Sequence, residues 1–388
     1  MRKNLSLLLI TILIASCLFI LTGCGTREEN NNVVPSIYDN TEYSEMTADD
    51  LLAKIKNIND ITTDEYIALV STYANVKIQD DLTLEKNITD EAIKKIDNKA
   101  KPSLDSYLGV LLESEAPQVR GYGISLITSL TGVSSKNLEL AKSLIKDETN
   151  EYVLYNTTKA LSNEAKSGQE IAEFIIKMAS HEHAKIRNAA ANALGNSWSK
   201  GVEGAVDTII KLMNDTDTDV RKTACKYSGK LADESVIEPL VAILNNTDDA
   251  DIHGSCVEGL TYLWYDYPFF ENTSEKAYTA TMDYLKKTPR TDKVPAWTAV
   301  GAFKTTSTQD SFTKWKEKAT YFNTDDIYNI MVDIIKDDNA NYLARTSAID
   351  VIKAHCGEEK FDSLKSIVDG LTDSKASSVK SAYDNKAK

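Results

Sequence analysis

Four places in this 388-residue chain carry residue types that could do chemistry. His181-Glu182-His183 sets two imidazoles two residues apart, as a zinc pair might be set. A zinc site needs three or four ligands, and no third lies nearby in sequence, so these read as solvated turn residues. His355-Cys356 joins a base to a thiol, but neighbours on a helix point in different directions and do not form a nucleophile–base pair. Asp215-Thr216-Asp217-Thr218-Asp219 imitates the first half of a calcium loop. Val220 then replaces the glycine and Lys226 the closing glutamate that such a loop requires, so helix caps explain the carboxylates better. Asp248-Asp249-Ala250-Asp251 repeats the acidic character one unit later. The last place is the thiols Cys225, Cys256 and Cys356, which have neither paired nor Cys-x-x-Cys spacing. Cys225 and Cys256 occupy positions where other units place small residues, and two readings stand: small core residues, or a bridge across stacked helices. No Gly-x-Ser-x-Gly, phosphate loop or dinucleotide fingerprint occurs. The expectation is no catalytic residue, no metal and no cofactor.

The elements that would position these residues announce themselves by repetition. Val119-Arg120, Ile186-Arg187 and Val220-Arg221 each open a short apolar helix, with degenerate copies at Val153-Leu154, Ile252-His253, Ala296-Trp297 and Ala344-Arg345. The second residues of the first five copies are spaced 34, 33, 34 and 32 apart, the signature of a stacked-helix array. Within each first helix, apolar residues recur on one face of a 3.6-residue period, and acidic or Ser/Thr residues precede it as caps. Second helices follow over Val202–Met213 and Val236–Leu244. Farther on, Tyr278–Leu285, Val294–Phe303, Ile327–Ile335, Arg345–Ile352 and Phe361–Leu371 continue the alternation. Upstream, Ala48–Ile58, Asp64–Ala74, Asp90–Lys99 and Leu104–Leu112 are helical segments without the arginine phrase, suited to cap the array.

Asp217-x-Asp219-Val220-Arg221-x-x-Ala224 and Ile186-Arg187-x-x-Ala190-Ala191-x-Ala193-Leu194-Gly195 resemble the HEAT repeat family, in the short bacterial variety related to the phycobilisome lyases. The resemblance implies that Arg120, Arg187 and Arg221 tie neighbouring repeats together, with Asp217 and Asp219 as acceptors, and that Leu154 and His253 interrupt the ladder. It implies an all-α fold: a right-handed α-solenoid, a HEAT/armadillo-like superhelix of about seven helix pairs with an N-terminal helical cap.

The amino-terminal residues suggest a location. Arg2 and Lys3 precede an apolar run, Leu5 to Leu21, and Leu21-Thr22-Gly23-Cys24 resembles the lipobox of bacterial lipoproteins. The resemblance implies cleavage after Gly23 and acylation of Cys24, with two or three chains giving a stable anchor on the extracytoplasmic face of a cell membrane. Polar sequence after Cys24, including Asn30-Asn31-Asn32, reads as a flexible tether. The net charge of -14 would become -16 without Arg2 and Lys3, which opposes nucleic-acid binding. The expected organisation is 1–23 signal peptide, 24–46 tether, 47–113 helical cap, 114–263 regular repeats, 264–375 divergent repeats with two insertions, and 376–388 tail.

Those insertions, Trp264–Ser274 and Thr305–Asp326, carry aromatics that the repeat pattern does not need. Tyr262, Trp264, Tyr265, Tyr267, Phe269, Phe270, Trp297, Trp315, Tyr321 and Phe322 are therefore the candidate binding surface, since such residues are enriched at interfaces. A local core under a long loop is the alternative. The function expected is a non-enzymatic scaffold that binds a protein or peptide. The alternatives are a lipoprotein binding a glycan or peptidoglycan fragment on the aromatics, and a lyase or hydrolase built on the solenoid.

Overall fold

The computed structural model describes residues 73–85, 104–130, 132–246, 249–266, 271–287 and 309–387, with Phe269 and scattered positions between 47 and 98. The expected signal peptide, Gly23, Cys24, the tether, Tyr267, Phe270, Trp297 and the helix over 294–303 lie outside the described residues, as do most of the helices over 48–58, 64–74 and 90–99.

The described residues form an all-α solenoid. Its helices are α1 (Asp105–Leu112), α2 (Pro117–Ile127), α3 (Ser135–Asp147), α4 (Glu151–Ala160), α5 (Gln169–Met178), α6 (Ala184–Leu194), α7 (Ala205–Leu212), α8 (Thr218–Ser228), α9 (Ile237–Asn246) and α10 (Ala250–Tyr262). After these come α11 (Glu275–Lys287), α12 (Gln309–Lys318), α13 (Thr324–Lys336), α14 (Tyr342–His355), α15 (Glu358–Asp369) and α16 (Ala376–Ala387). First helices α2, α4, α6, α8 and α10 pack side by side in one layer. Second helices lie behind them: α3 touches α1, α5 and α4, and α9 touches α10 and α11.

Local sequence explains where each first helix begins. Asn150, His183, Asp217, Asp249 and Asn341 each adopt an N-cap position and accept a backbone N–H from the turn that follows. Each satisfies an amide that the helix leaves orphaned. The apolar stripe then turns inward: Ile186, Ala190, Ala191 and Leu194 are fully buried, as are Val220, Ala224 and Cys225. Small residues set the spacing of the layer. A Cβ placed on Gly259 would strike the Cys225 carbonyl oxygen, and one on Gly229 would strike that of Gly259, so α8 and α10 touch backbone to backbone.

Three elements differ from expectation. The carboxy-terminal tail is helix α16, which packs on α14 and α15 and buries Ala376, Val379 and Tyr383. Its apolar residues fall three and four apart, which gives it a face to bury. The second insertion contains α12. Upstream, residues 76–85 form a tight turn closed by an antiparallel bridge between Ile78 and Leu84. Among the described residues no helix is long and apolar enough to cross a membrane.

Candidate functional site

The expected ladder exists, but its acceptors are different. Arg187 donates from Nε and Nη2 to both carboxylate oxygens of Asp215, each at 2.7 Å. Its Nη1 donates to the carbonyls of His181 and Glu182 at 2.9 and 2.7 Å. Arg120 repeats this with Glu148 (2.9 Å) and the carbonyls of Ser114 and Glu115. Arg345, read from sequence only as a degenerate copy, completes the series: its guanidinium is fully buried and grips Asp373 at 2.7 and 2.9 Å. In each case the acid stands 28 residues after the arginine, at the start of the next unit. Arg221 instead donates to the carbonyls of Asp215 and Thr216 and to the Thr218 hydroxyl.

Asp217 and Asp219 are therefore not the arginines' hydrogen-bond acceptors in these contacts. Asp217 caps α8, and Asp219 pairs with Lys222 at 3.6 Å. The reason is geometric: the guanidinium reaches back to the turn before the cap, where Asp215 lies. Arg187 holds the Asp215 carboxyl below its usual range by hydrogen bonding, against the opposing effect of burial. Asp373 is driven down to about 2, chiefly by the Arg345 hydrogen bonds. All three acids of the calcium-like run thus have protein partners.

The aromatic surface is corrected for its largest members. Trp264, Tyr265 and Trp315 are at most 1% exposed. Trp264 Nε1 donates to the Thr281 hydroxyl at 3.1 Å and Trp315 Nε1 to the Asn272 carbonyl at 2.8 Å. The rings interlock: Trp315 meets Tyr265 edge-on at 5.4 Å and Phe322 at 5.0 Å, and Tyr278 lies 5.0 Å from both Trp264 and Tyr321. Helix α12 supplies Trp315 and the segment after it Tyr321 and Phe322, so the second insertion closes over the first. Between them, Asp266 is buried and accepts the amides of Glu271 and Asn272, fixing the first insertion as a cap. Of the predicted surface residues that are described, Phe269 is exposed and Tyr262, Tyr321 and Phe322 are partly so.

The histidines are structural. His183 Nδ1 accepts the Lys185 amide as the cap of α6, while its Nε2 lies 2.7 Å from the carbonyl of Asp80, 103 residues away. With Nδ1 accepting, Nε2 carries the proton and donates. His355 Nε2 lies 3.3 Å from the Tyr265 hydroxyl, inside the aromatic core. The buried thiols Cys225 and Cys256 face one another across α8 and α10, and the hydrogen bond between them together with burial pushes the Cys256 thiol far upward.

Sequence reasoning did not single out the open groove that the first-helix layer presents. It encloses about 560 Å³ and runs across α4, α6 and the start of α8, lined among others by Tyr155, Lys159, Asn188, Asn192, Lys185 and Asp219. Lys159, Asn192 and Lys226 occupy equivalent places in successive units, 33 and 34 residues apart. That interval is the available signal: these are the polar positions between apolar contacts, repeated at the period of the array. Lys159 lies over the Tyr155 ring at 5.0 Å. Farther along the layer Lys230 sits between the rings of Tyr227 (4.6 Å) and Tyr262 (5.0 Å).

The family of HEAT repeats matches residues 171–261, which spans α5 to α10, so this part of the chain carries HEAT repeats. No curated protein matches the sequence. Two crystal structures, of Kap121p and of a mutant of it, are similar at a TM-score of 0.46 and 13% identity, over 88% of this chain. The chain spans 42% of the length of those proteins.

Proposed function

We propose that this chain is a membrane-tethered extracytoplasmic scaffold, and that it receives a protein or peptide segment in the groove across α4, α6 and α8. The carrying observation is the groove itself, an open face on the stack of first helices where Lys159 and Asn192 are exposed. Such a face favours an elongated ligand, because each repeat adds a similar step to one continuous surface. The exposed Asn192 offers both donor and acceptor, the complement of a peptide backbone, and Asn188, whose Oδ1 accepts the Thr223 hydroxyl, adds a donor. In this reading the role is that of a scaffold without catalysis. Lipidation at Cys24 supplies the anchor in this reading, supported by the Leu21-Thr22-Gly23-Cys24 pattern. The glycan alternative loses support, since Trp264 and Trp315 are spent on the core.

A photo-reactive residue replacing Asn192, compared with one replacing Glu173 on the opposite layer, tests the groove in intact membranes. Cross-linking of one discrete protein from position 192 and not from 173 is the expected result; equal labelling from both refutes it. Globomycin should cause an uncleaved precursor to accumulate, and its absence would overturn the assignment of Cys24.

A further inference from the structure

The lysines of the first-helix layer divide into two kinds. Lys185 pairs with Asp81 at 3.5 Å, Lys222 with Asp251 at 3.4 Å, and Lys226 with Glu258 at 3.0 Å. Lys159 and Lys230 have no carboxylate within ion-pair distance among the described residues, although Glu258 acts on Lys230 from farther away; Lys159 lies over one tyrosine ring and Lys230 between two. A cation held against an aromatic face keeps a free side for an anion. Burial, and after it the neighbouring Lys226, lowers Lys230 below the ordinary lysine range. An anion at that position would offset the cost of keeping the charge there.

The same face already accepts one acidic segment. The turn at Asp80-Asp81 gives its Asp80 carbonyl to His183 and its Asp81 carboxylate to Lys185, which is itself a lining residue of the groove. It comes from a part of the chain 103 residues away and docks by main-chain acceptor plus side-chain acid.

We propose that the first-helix layer binds an extended acidic peptide segment, with Lys159 in the groove and Lys230 beyond its α8 end each taking a carboxylate and Asn192 meeting the backbone between them. This rests on the reading of the groove as the binding face and gives that reading a partner class. Packed helices stand about 8–10 Å apart, so anchors two units apart are separated by roughly 20 Å. An extended chain covers that in about six residues at ~3.3 Å each. Asp217 and Asp219 also line the groove, but the first is engaged in capping α8 and the second pairs with Lys222, and the rest of the chain's charge of -14 is screened beyond about 8 Å at physiological salt.

The test is fluorescence anisotropy on the full detergent-solubilised chain with two labelled octapeptides, one alternating Glu and Gly, the other alternating Lys and Gly. The acidic peptide should bind and weaken with added salt, and the basic one should not bind. Lys159→Gln and Lys230→Gln should each weaken binding roughly three- to tenfold, as loss of one partly exposed charge-assisted contact predicts. Both variants should keep the wild-type unfolding temperature, and the double change Lys159→Glu with Lys230→Glu should move the preference to the basic peptide. Equal binding of the two peptides, or unchanged affinity in both Gln variants, overturns the proposal. Failure here with position-specific cross-linking from residue 192 intact removes the acidic class and leaves the scaffold reading standing. Loss of both removes both.

Discussion

The ion pair between Arg345 and Asp373 gives the sharpest prediction because its guanidinium is fully buried while its carboxylate is only partly covered, at 17% exposure. Asp373→Ala strands a buried charge that retains only the Ile335 carbonyl, 2.8 Å from Nε. Removing one partner of a buried pair typically costs about 3–5 kcal/mol. The aspartate also accepts the Lys375 amide at 2.9 Å, and loss of such a cap adds about 1 kcal/mol. Replacing Arg345 by Met in the same chain removes the stranded charge, so the double variant should recover at least ~2 kcal/mol of the loss. Acid titration probes the same contact. The Asp373 carboxyl is lowered from 3.8 to about 2, so its contribution is fully present above pH 4 and lost as pH falls toward 2. At 1.36 kcal/mol per tenfold the ceiling is about 2.4 kcal/mol, reduced by solvent at the exposed edge to roughly 1–2 kcal/mol. Repeat arrays unfold in parts, so the assay is hydrogen exchange resolved on α14 and α16 rather than one global melt. A single variant costing under about 1 kcal/mol, or a double variant no more protected than the single one, would refute the buried-pair argument.

Three further outcomes follow from the packing. Gly259→Ala would push a methyl into the Cys225 carbonyl and should destabilise by about 1–3 kcal/mol through overpacking, read as a lowered melting temperature in the repeats; an unchanged melt would show that α8 and α10 can separate freely. Trp315→Ala should cost about 3–5 kcal/mol and loosen α12 in hydrogen exchange, whereas a surface tryptophan would cost almost nothing. In the native state iodoacetamide at pH 8 should leave Cys225, Cys256 and Cys356 unmodified by intact mass, because two are buried and burial holds Cys356 up at about 12; rapid alkylation would contradict the packing.

Much of this architecture was legible in the sequence because the residues that define it recur. Ile186, Ala190 and Leu194 are needed at fixed offsets for the core, and the same offsets return at Val220, Ala224 and Ser228. The ladder's acceptors were less legible: Glu148, Asp215 and Asp373 are acids at one offset of 28, but the first two lie in turns with other acids and the third follows a degenerate copy of the phrase. Asp217 caps α8, whereas Asp215, two residues earlier, faces the guanidinium, a difference set by the backbone and not by residue type. Helix α16 was missed because Ala376, Val379 and Tyr383 are diluted by Ser and Lys and its partner face, on α14, is remote in sequence. The aromatics were ambiguous for a physical reason. Apolar area favours an interface or a core equally, and only the return of α12 over the first insertion decides between them.

That decision also moves the functional face. Where the period fails, Trp264, Tyr265 and Trp315 pack ring against ring in the core between the two insertions. Large rings suit such a place because one side chain covers a wide, irregular interface and its N–H can still find an acceptor, as Trp315 finds Asn272. Among the described residues of the breaks, these three rings are turned inward, while Phe269 stays exposed. The regular units are in the opposite position. Each first helix meets its packing needs with a narrow stripe of small and aliphatic residues, so positions between, such as the exposed Lys159 and Asn192, are left facing solvent. In a solenoid those free positions stack into one line, and a line of amides and cations that the core does not need is where selection for a ligand can act without cost to the fold.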